Sequence, residues 1–236
     1  MEKMYKLIFM GSPGVGKTSV LTRIASDEYK EGGKQAVIFE AFPKISIINE
    51  EKLRAQLFEI KGSIPEIQKQ RIIFNNVSAV VLLIDPFDPN SMAYAESADE
   101  LASAMVKPML DGKRVPFLIL VTKQDRCADE QPLVSEADIS ELSKRVDAPV
   151  AWVSAKTGDN VLASYEGLLS AARQRRRLAL QAAPEDDSFQ INSIKAIAPM
   201  AKKMRSASKK GEEKEKRGRK STQEQAEKGQ RKSACC

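Results

Sequence analysis

The sequence predicts an α/β fold: six strands in a mostly parallel sheet with one antiparallel edge strand, and helices on both faces of that sheet. Three features of the 236 residues point to it. Short, nearly continuous apolar runs alternate with segments whose apolar residues recur at helical spacing, the pattern of a sheet covered on both sides. One stretch alternates apolar and polar residues on either side of a polar turn, which is a hairpin and supplies the single antiparallel strand. The first apolar run also passes through a glycine-rich stretch directly into the first helix, the context of a phosphate-binding loop.

Taken in order, Leu7-Ile8-Phe9-Met10 is a short buried strand, and Val20, Leu21 and Ile24 mark the helix that follows. Between them, Gly11-Ser12-Pro13-Gly14-Val15-Gly16-Lys17-Thr18 fits G-x-x-x-x-G-K-[ST] at every fixed position. The backbone N–H groups of Gly11, Ser12, Gly14, Val15 and Gly16, but not of Pro13, which has none, and that of Ser19 would then meet phosphates at the positive end of the helix. Lys17 would reach the β/γ-phosphates, and the Thr18 hydroxyl would bind Mg²⁺. The chain is therefore expected to be a P-loop NTPase.

Asp27 to Lys44 reads as a polar, glycine-containing loop. Ile45 and Ile47, the turn Asn49-Glu50-Glu51, and Leu53, Ala55 and Leu57 form the hairpin. Val77–Ile84, Phe117–Val121 and Val150–Val153 are the remaining strands. Helical faces are marked by Ala95, Ala98, Leu101, Ala102 and Met105, then by Ile139, Leu142 and Val146 behind the capping pair Ser135/Asp138. The last face carries Leu162, Tyr165, Leu168, Leu169 and Ala172, and its helix is expected to close on the basic cluster Arg173 to Arg177, which suits the helix dipole.

Charge divides the chain. Residues 1–180 carry 24 basic and 24 acidic side chains, so the whole net charge of +6 belongs to residues 181–236. No aromatic residue follows Phe189, and Lys209 to Lys232 is nearly all charged, polar or glycine. Such a stretch buries too little apolar surface to offset the entropy of ordering. A globular domain over 1–180 and a basic, disordered tail over 181–236 are expected. The longest clear apolar run, Ala79 to Ile84, is far too short for a membrane span, and the N-terminus has no signal-peptide pattern, so folding in the cytosol is expected. The chain has three cysteines, Cys127, Cys235 and Cys236, and no histidine, which excludes a disulfide framework, zinc chemistry and histidine-based nucleophilic catalysis.

Two further segments follow strands. Thr122-Lys123-Gln124-Asp125 comes directly after Phe117–Val121, and Ser154-Ala155-Lys156 after the last strand. Both lie at carboxyl ends, where open α/β sheets bind ligands, so they converge with the phosphate loop on one edge. The Asp125 carboxylate can accept two hydrogen bonds from guanine N1–H and N2–H₂, donors that adenine lacks. Lys123 and Lys156 can lay their aliphatic stems on the purine faces. Asp125 and the Ser-Ala-Lys segment argue against an ATP enzyme.

With GSPGVGKT, TKQD and SAK in this order and spacing, residues 4–178 resemble the Ras superfamily of small GTPases. The resemblance implies that Thr122 and Ser154 belong to the base site, that the Ala155 N–H meets guanine O6, and that Tyr29 stacks on the base edge. The family's D-x-x-G reads Glu59-Ile60-Lys61-Gly62 here. Glu59 would hold a water of the Mg²⁺ shell, and the Gly62 N–H would sense the γ-phosphate. Ser63 stands where the family uses a Gln to orient the attacking water, and its hydroxyl is too short for that task. Lys61 and Ser63 read equally as residues of a solvated surface. The family's switch Thr has no counterpart, because no Ser or Thr lies between Asp27 and Ile45. Counting back from Glu59 puts Val37 at its position.

The ending Ser233-Ala234-Cys235-Cys236 is similar to the doubly prenylated Cys-Cys terminus of the Rab branch. Two lipid chains anchor durably where one is marginal, and a basic tail adds attraction for anionic lipid. The expectation is a monomeric, Rab-like GTPase that binds GTP or GDP with Mg²⁺ and hydrolyses slowly. It would act on the cytoplasmic face of an intracellular membrane with a cytosolic pool, through effector, exchange-factor and activating proteins and without nucleic acid. The rival expectation is a nucleotide-binding interaction module that no longer switches.

Overall fold

The computed structural model describes residues 4–29, 39–109 and 111–182. The expected positions Val37, Cys235 and Cys236 lie outside them, as does the tail beyond Ala182.

Six strands form one sheet in the order β2-β3-β1-β4-β5-β6: β1 (Met4–Met10), β2 (Phe39–Ile48), β3 (Glu51–Ile60), β4 (Ala79–Ile84), β5 (Phe117–Val121) and β6 (Val150–Trp152). Only the β2–β3 pair is antiparallel; β3, β1, β4, β5 and β6 run parallel, as the continuous apolar runs predict. The helices are α1 (Lys17–Ser26), α2 (Ile64–Gln68), α3 (Pro89–Met105), α4 (Glu136–Val146) and α5 (Val161–Ala182).

The period of two along each strand sorts its side chains between two cores. Ile8, Met10, Val80, Leu82, Ile84, Ile119 and Val121 pack with Ala95, Ala98, Leu101 and Ala102 of α3 and with Ile139, Leu142 and Val146 of α4. Leu7, Phe9, Val81, Leu83, Leu118 and Leu120 pack with Val20, Leu21 and Ile24 of α1 and with Tyr165, Leu168, Leu169 and Ala172 of α5. The Ser135 cap of α4 is present: its Oγ accepts from the Asp138 N–H at 3.1 Å and donates to the Asp138 carboxylate at 2.7 Å.

The structure corrects three expectations and adds two short elements. Strand β2 begins at Phe39, so residues 39–44 are strand and not loop. Pro43 hid this, yet a proline is tolerated there because β2 is an edge strand with only one neighbour to pair with. The hairpin turns on two residues, Asn49 (φ 49°) and Glu50 (φ 65°), both left-handed as a tight hairpin turn requires, and Glu51 already pairs with Ile48. Helix α2, with Ser63 before it, and the 3₁₀ turn Arg71–Phe74 were not legible, being too short to establish a period. Finally, α5 continues to Ala182, so Arg173 to Arg177 do not close it. Three of its arginines bind neighbouring surfaces instead: Arg175 makes a bidentate pair with Asp111 at 2.5 and 2.7 Å, Arg173 pairs with Glu51, and Arg176 lies over the Tyr5 ring.

Because β3, β1, β4, β5 and β6 are parallel, residues 59–63, 11–16, 85–88, 122–123 and 153–160 all emerge at one edge of the sheet. That edge carries the site.

Candidate functional site

The phosphate loop owes its shape to three glycines. Gly14 (φ 79°) and Gly16 (φ 98°) hold backbone conformations that side chains rarely adopt. At Gly11 a Cβ would stand 3.0 Å from both Leu83 and Val15, so the loop can lie against β4 only with glycine there. Gly16 caps α1 without any side-chain hydrogen bond, which leaves the first N–H groups of the helix for a ligand. Ser12 is buried behind the loop, its Oγ 3.4 Å from that of Ser91, while Pro13 and Gly14 are exposed.

Lys17 is 6% exposed and donates to the carbonyls of Gly11 (2.7 Å) and Ser12 (2.9 Å). Burial pushes its pKa down to about 8, against the opposing pull of Glu59 and with a further push from Lys61. Among the described residues no carboxylate is hydrogen-bonded to this ammonium, an arrangement that suits an anion.

Next to it, the Thr18 hydroxyl donates to Glu59 Oε1 at 2.6 Å. Glu59 is 2% exposed and its Oε2 takes no hydrogen bond, although Lys61 Nζ stands 3.3 Å away. A hydroxyl beside a buried carboxylate with an unsatisfied oxygen suits a hard divalent cation such as Mg²⁺. Among the described residues no group of three or more Cys, Asp or Glu could hold a metal, and Thr18 and Glu59 are the two oxygen donors that meet here.

The segment after β3 folds back on itself. Gly62 (φ 111°) gives its carbonyl to the Tyr94 hydroxyl at 2.8 Å, and burial, with the Glu66 charge, pushes that phenol up to about 12. Ser63 caps α2: its N–H and its hydroxyl both donate to the Glu66 carboxylate, at 2.8 and 2.9 Å. The hydroxyl is therefore already engaged. Lys61 is not a solvated residue, since its side chain is 14% exposed and wedged between Glu59 and Glu40.

At the base end, the structure brings the two expected segments together. Ser154, fully buried, donates from Oγ to Asp125 Oδ1 at 2.6 Å. Thr122 Oγ1 donates to the Val15 carbonyl at 2.8 Å and so ties the Thr-Lys-Gln-Asp loop to the phosphate loop. Lys123, left-handed at φ 58°, is anchored by its ammonium to Asp85 at 2.5 Å, while Ala155 is half-buried and Lys156 exposed at the rim. Tyr29 is 40% exposed, three residues past the end of α1, and so is not a core residue.

Sequence reasoning missed Arg23, Tyr94 and Asp85. Arg23 straps α1 to the Ser-Ala-Lys loop, donating to the carbonyls of Ala155 and Lys156 at 3.0 Å each. No local signal marks it, because its partners lie 132 and 133 residues away.

The sequence model of the Ras family matches residues 6–174. Ypt/Rab-type GTPase YPT7 of Saccharomyces cerevisiae is 28% identical over 196 residues, covering 81% of this chain and 92% of the yeast protein. Ras-related protein Rab-7b of Bos taurus is 29% identical over 192 residues, 80% of this chain and 90% of the bovine protein. Ras and EF-hand domain-containing protein of Xenopus tropicalis is 24% identical over 199 residues, 83% of this chain but 26% of that longer protein.

Proposed function

Because this chain belongs to the Ras family, we propose that it is a Rab-like small GTPase, a switch in vesicle traffic or signalling that binds GTP and GDP, hydrolyses GTP slowly and is tethered to a membrane. The observation that carries the base assignment is the 2.6 Å hydrogen bond from Ser154 to Asp125. A carboxylate has about four acceptor sites, so this bond orients Asp125 and leaves both oxygens able to accept from guanine N1–H and N2–H₂. In this reading Lys17 and the N–H groups of the phosphate loop and the start of α1 would meet the phosphates, and Thr18 and Glu59 are the residues that would hold Mg²⁺, which supplies neutralisation of phosphate charge when bound. Gly62, its carbonyl held by Tyr94, would sense the γ-phosphate through its N–H, and the exposed Tyr29 would stack on the base edge.

Asp125→Asn tests the assignment. It turns one acceptor oxygen into a donor facing a guanine donor, and GTP binding is expected to weaken by about 1–3 kcal/mol or more, with preference moving toward xanthine nucleotides. Titration of both proteins with fluorescent GTP, XTP and ATP measures this. Equal affinity of the unaltered protein for ATP and GTP would rule guanine specificity out.

Membrane attachment in this reading comes from lipidation of Cys235 and Cys236, helped by the basic segment before them. Among the described residues no helix is long and apolar enough to cross a membrane. Removal of the two cysteines is expected to release the protein into the soluble fraction, since one or no chain gives only marginal binding. Cell fractionation decides it, and a truncated protein that still pellets with membranes would count against lipid anchoring. The protein would then act as a monomer on the cytoplasmic face of an intracellular membrane, with effector, exchange-factor and activating proteins as partners and no nucleic acid.

A second reading is favoured by one observation, the engagement of the Ser63 hydroxyl by Glu66. With that group tied into a helix cap, the chain could hold guanine nucleotide as a structural ligand and serve as an interaction module that does not switch.

A further inference from the structure

Lys61 follows β3 directly, and its ammonium sits 3.3 Å from Glu59 Oε2 and 3.3 Å from Glu40 Oε2. Glu40 and Glu59 are cross-strand partners in the hairpin, so two carboxylates from adjacent strands converge on one cation. The other oxygen of Glu59 holds the Thr18 hydroxyl at 2.6 Å, which makes a chain from the phosphate loop through one carboxylate to Lys61. An ammonium has three N–H donors, and among the described residues only one is spent on a hydrogen bond, to Glu40. Glu59 Oε2, for its part, meets Lys61 as a charge and not through a hydrogen bond.

We propose that Lys61 is a built-in cation of the nucleotide site: it occupies the electrostatic position that Mg²⁺ would share at Glu59, and it turns its remaining N–H groups to the phosphates. The inference rests on the guanine-nucleotide reading above. Thr18, next to Lys17 in the phosphate loop, holds one oxygen of Glu59 and Lys61 stands at the other, close enough for the Lys61 charge to help push the Lys17 ammonium down. A polyphosphate entering there is attracted by both ammoniums. A divalent cation entering at Thr18 and Glu59 is repelled by the Lys61 ammonium, which already compensates the carboxylate it would use. Nucleotide retention should therefore depend on Lys61 far more than on Mg²⁺.

Release of fluorescent GDP from the full chain, followed before and after EDTA, reads this out. Chelation is expected to change release from the unaltered protein by less than about threefold, but to speed it about tenfold to a hundredfold in Lys61→Ala and Lys61→Met, the range set by one charge-assisted hydrogen bond. Lys61→Met keeps the aliphatic stem, so its packing in the hairpin is preserved, and Lys61→Arg should behave like the parent. If EDTA releases GDP equally fast from the parent and from Lys61→Met, the metal supplies the cation and the proposal for Lys61 is wrong while the guanine site stands. If the parent binds neither GDP nor GTP, with or without Mg²⁺, the site assignment fails and this inference with it.

Discussion

Nucleotide binding is expected to disappear in Lys17→Ala. The side chain is almost wholly buried, held by the carbonyls of Gly11 and Ser12, and its charge is the one the loop directs at the β/γ-phosphates. Removing one member of a buried charge pair typically costs about 2–5 kcal/mol, and here the phosphates would lose a hydrogen-bond donor as well as a charge. The carbonyls of Gly11 and Ser12 would also be left facing the ligand with nothing between them, and their partial negative charge repels phosphate. Calorimetric titration with GTP measures the loss, and parent-like binding by Lys17→Ala would show that the loop is not the site. The same geometry sets a pH dependence. Burial leaves the free ammonium with a pKa near 8, whereas bound phosphate favours its charged form. Below about pH 8 both states are protonated and affinity is flat; above it, binding must take up a proton and affinity falls. Thr18→Asn, which alters the neighbouring metal donor, is expected to favour the GDP-bound or empty protein.

GTP hydrolysis is expected to be slower than in ordinary Ras-like enzymes by on the order of a hundredfold or more, the typical cost of losing an orienting contact. Phosphoryl transfer from GTP relies on a positioned water and on neutralisation of developing charge. Lys17 and the loop N–H groups serve the second need. For the first, the family resemblance assigns Ser63 the place of the water-orienting Gln, but its hydroxyl donates to Glu66 at 2.9 Å. Ser63→Gln supplies a longer side chain and should raise the rate only in part, because no Ser or Thr lies between Asp27 and Ile45 to complete the γ-phosphate clamp. Single-turnover phosphate release, with and without Mg²⁺, checks both statements. A family-typical rate would mean that another residue orients the water. No release at all would support the non-switching module.

Much of the fold was legible because apolar burial is non-directional and leaves a periodic trace. Leu7 and Ile8, adjacent in sequence, enter opposite cores as the period of two requires. The phosphate loop was legible for a different reason: its shape is local, written in Gly14 and Gly16, which are left-handed in the structure. Elements of little more than one turn left no trace, as with α2, and Pro43 masked half of an edge strand that could accommodate it.

The sequence by itself determined the sheet, the phosphate loop and which segments meet at its carboxyl edge, since each follows from local backbone preference or from the apolar pattern. Only the tertiary structure decided what each polar side chain is bonded to. Ser63 belongs to a helix cap, Lys123 to Asp85, Arg23 to the Ser-Ala-Lys loop, and Lys61 to the space between two carboxylates on paired strands. Hydrogen bonds and ion pairs act over a few tenths of a turn of chain or across a hundred residues alike, provided the atoms come within about 3 Å, and that proximity exists only once the strands have paired and the loops have closed on one another.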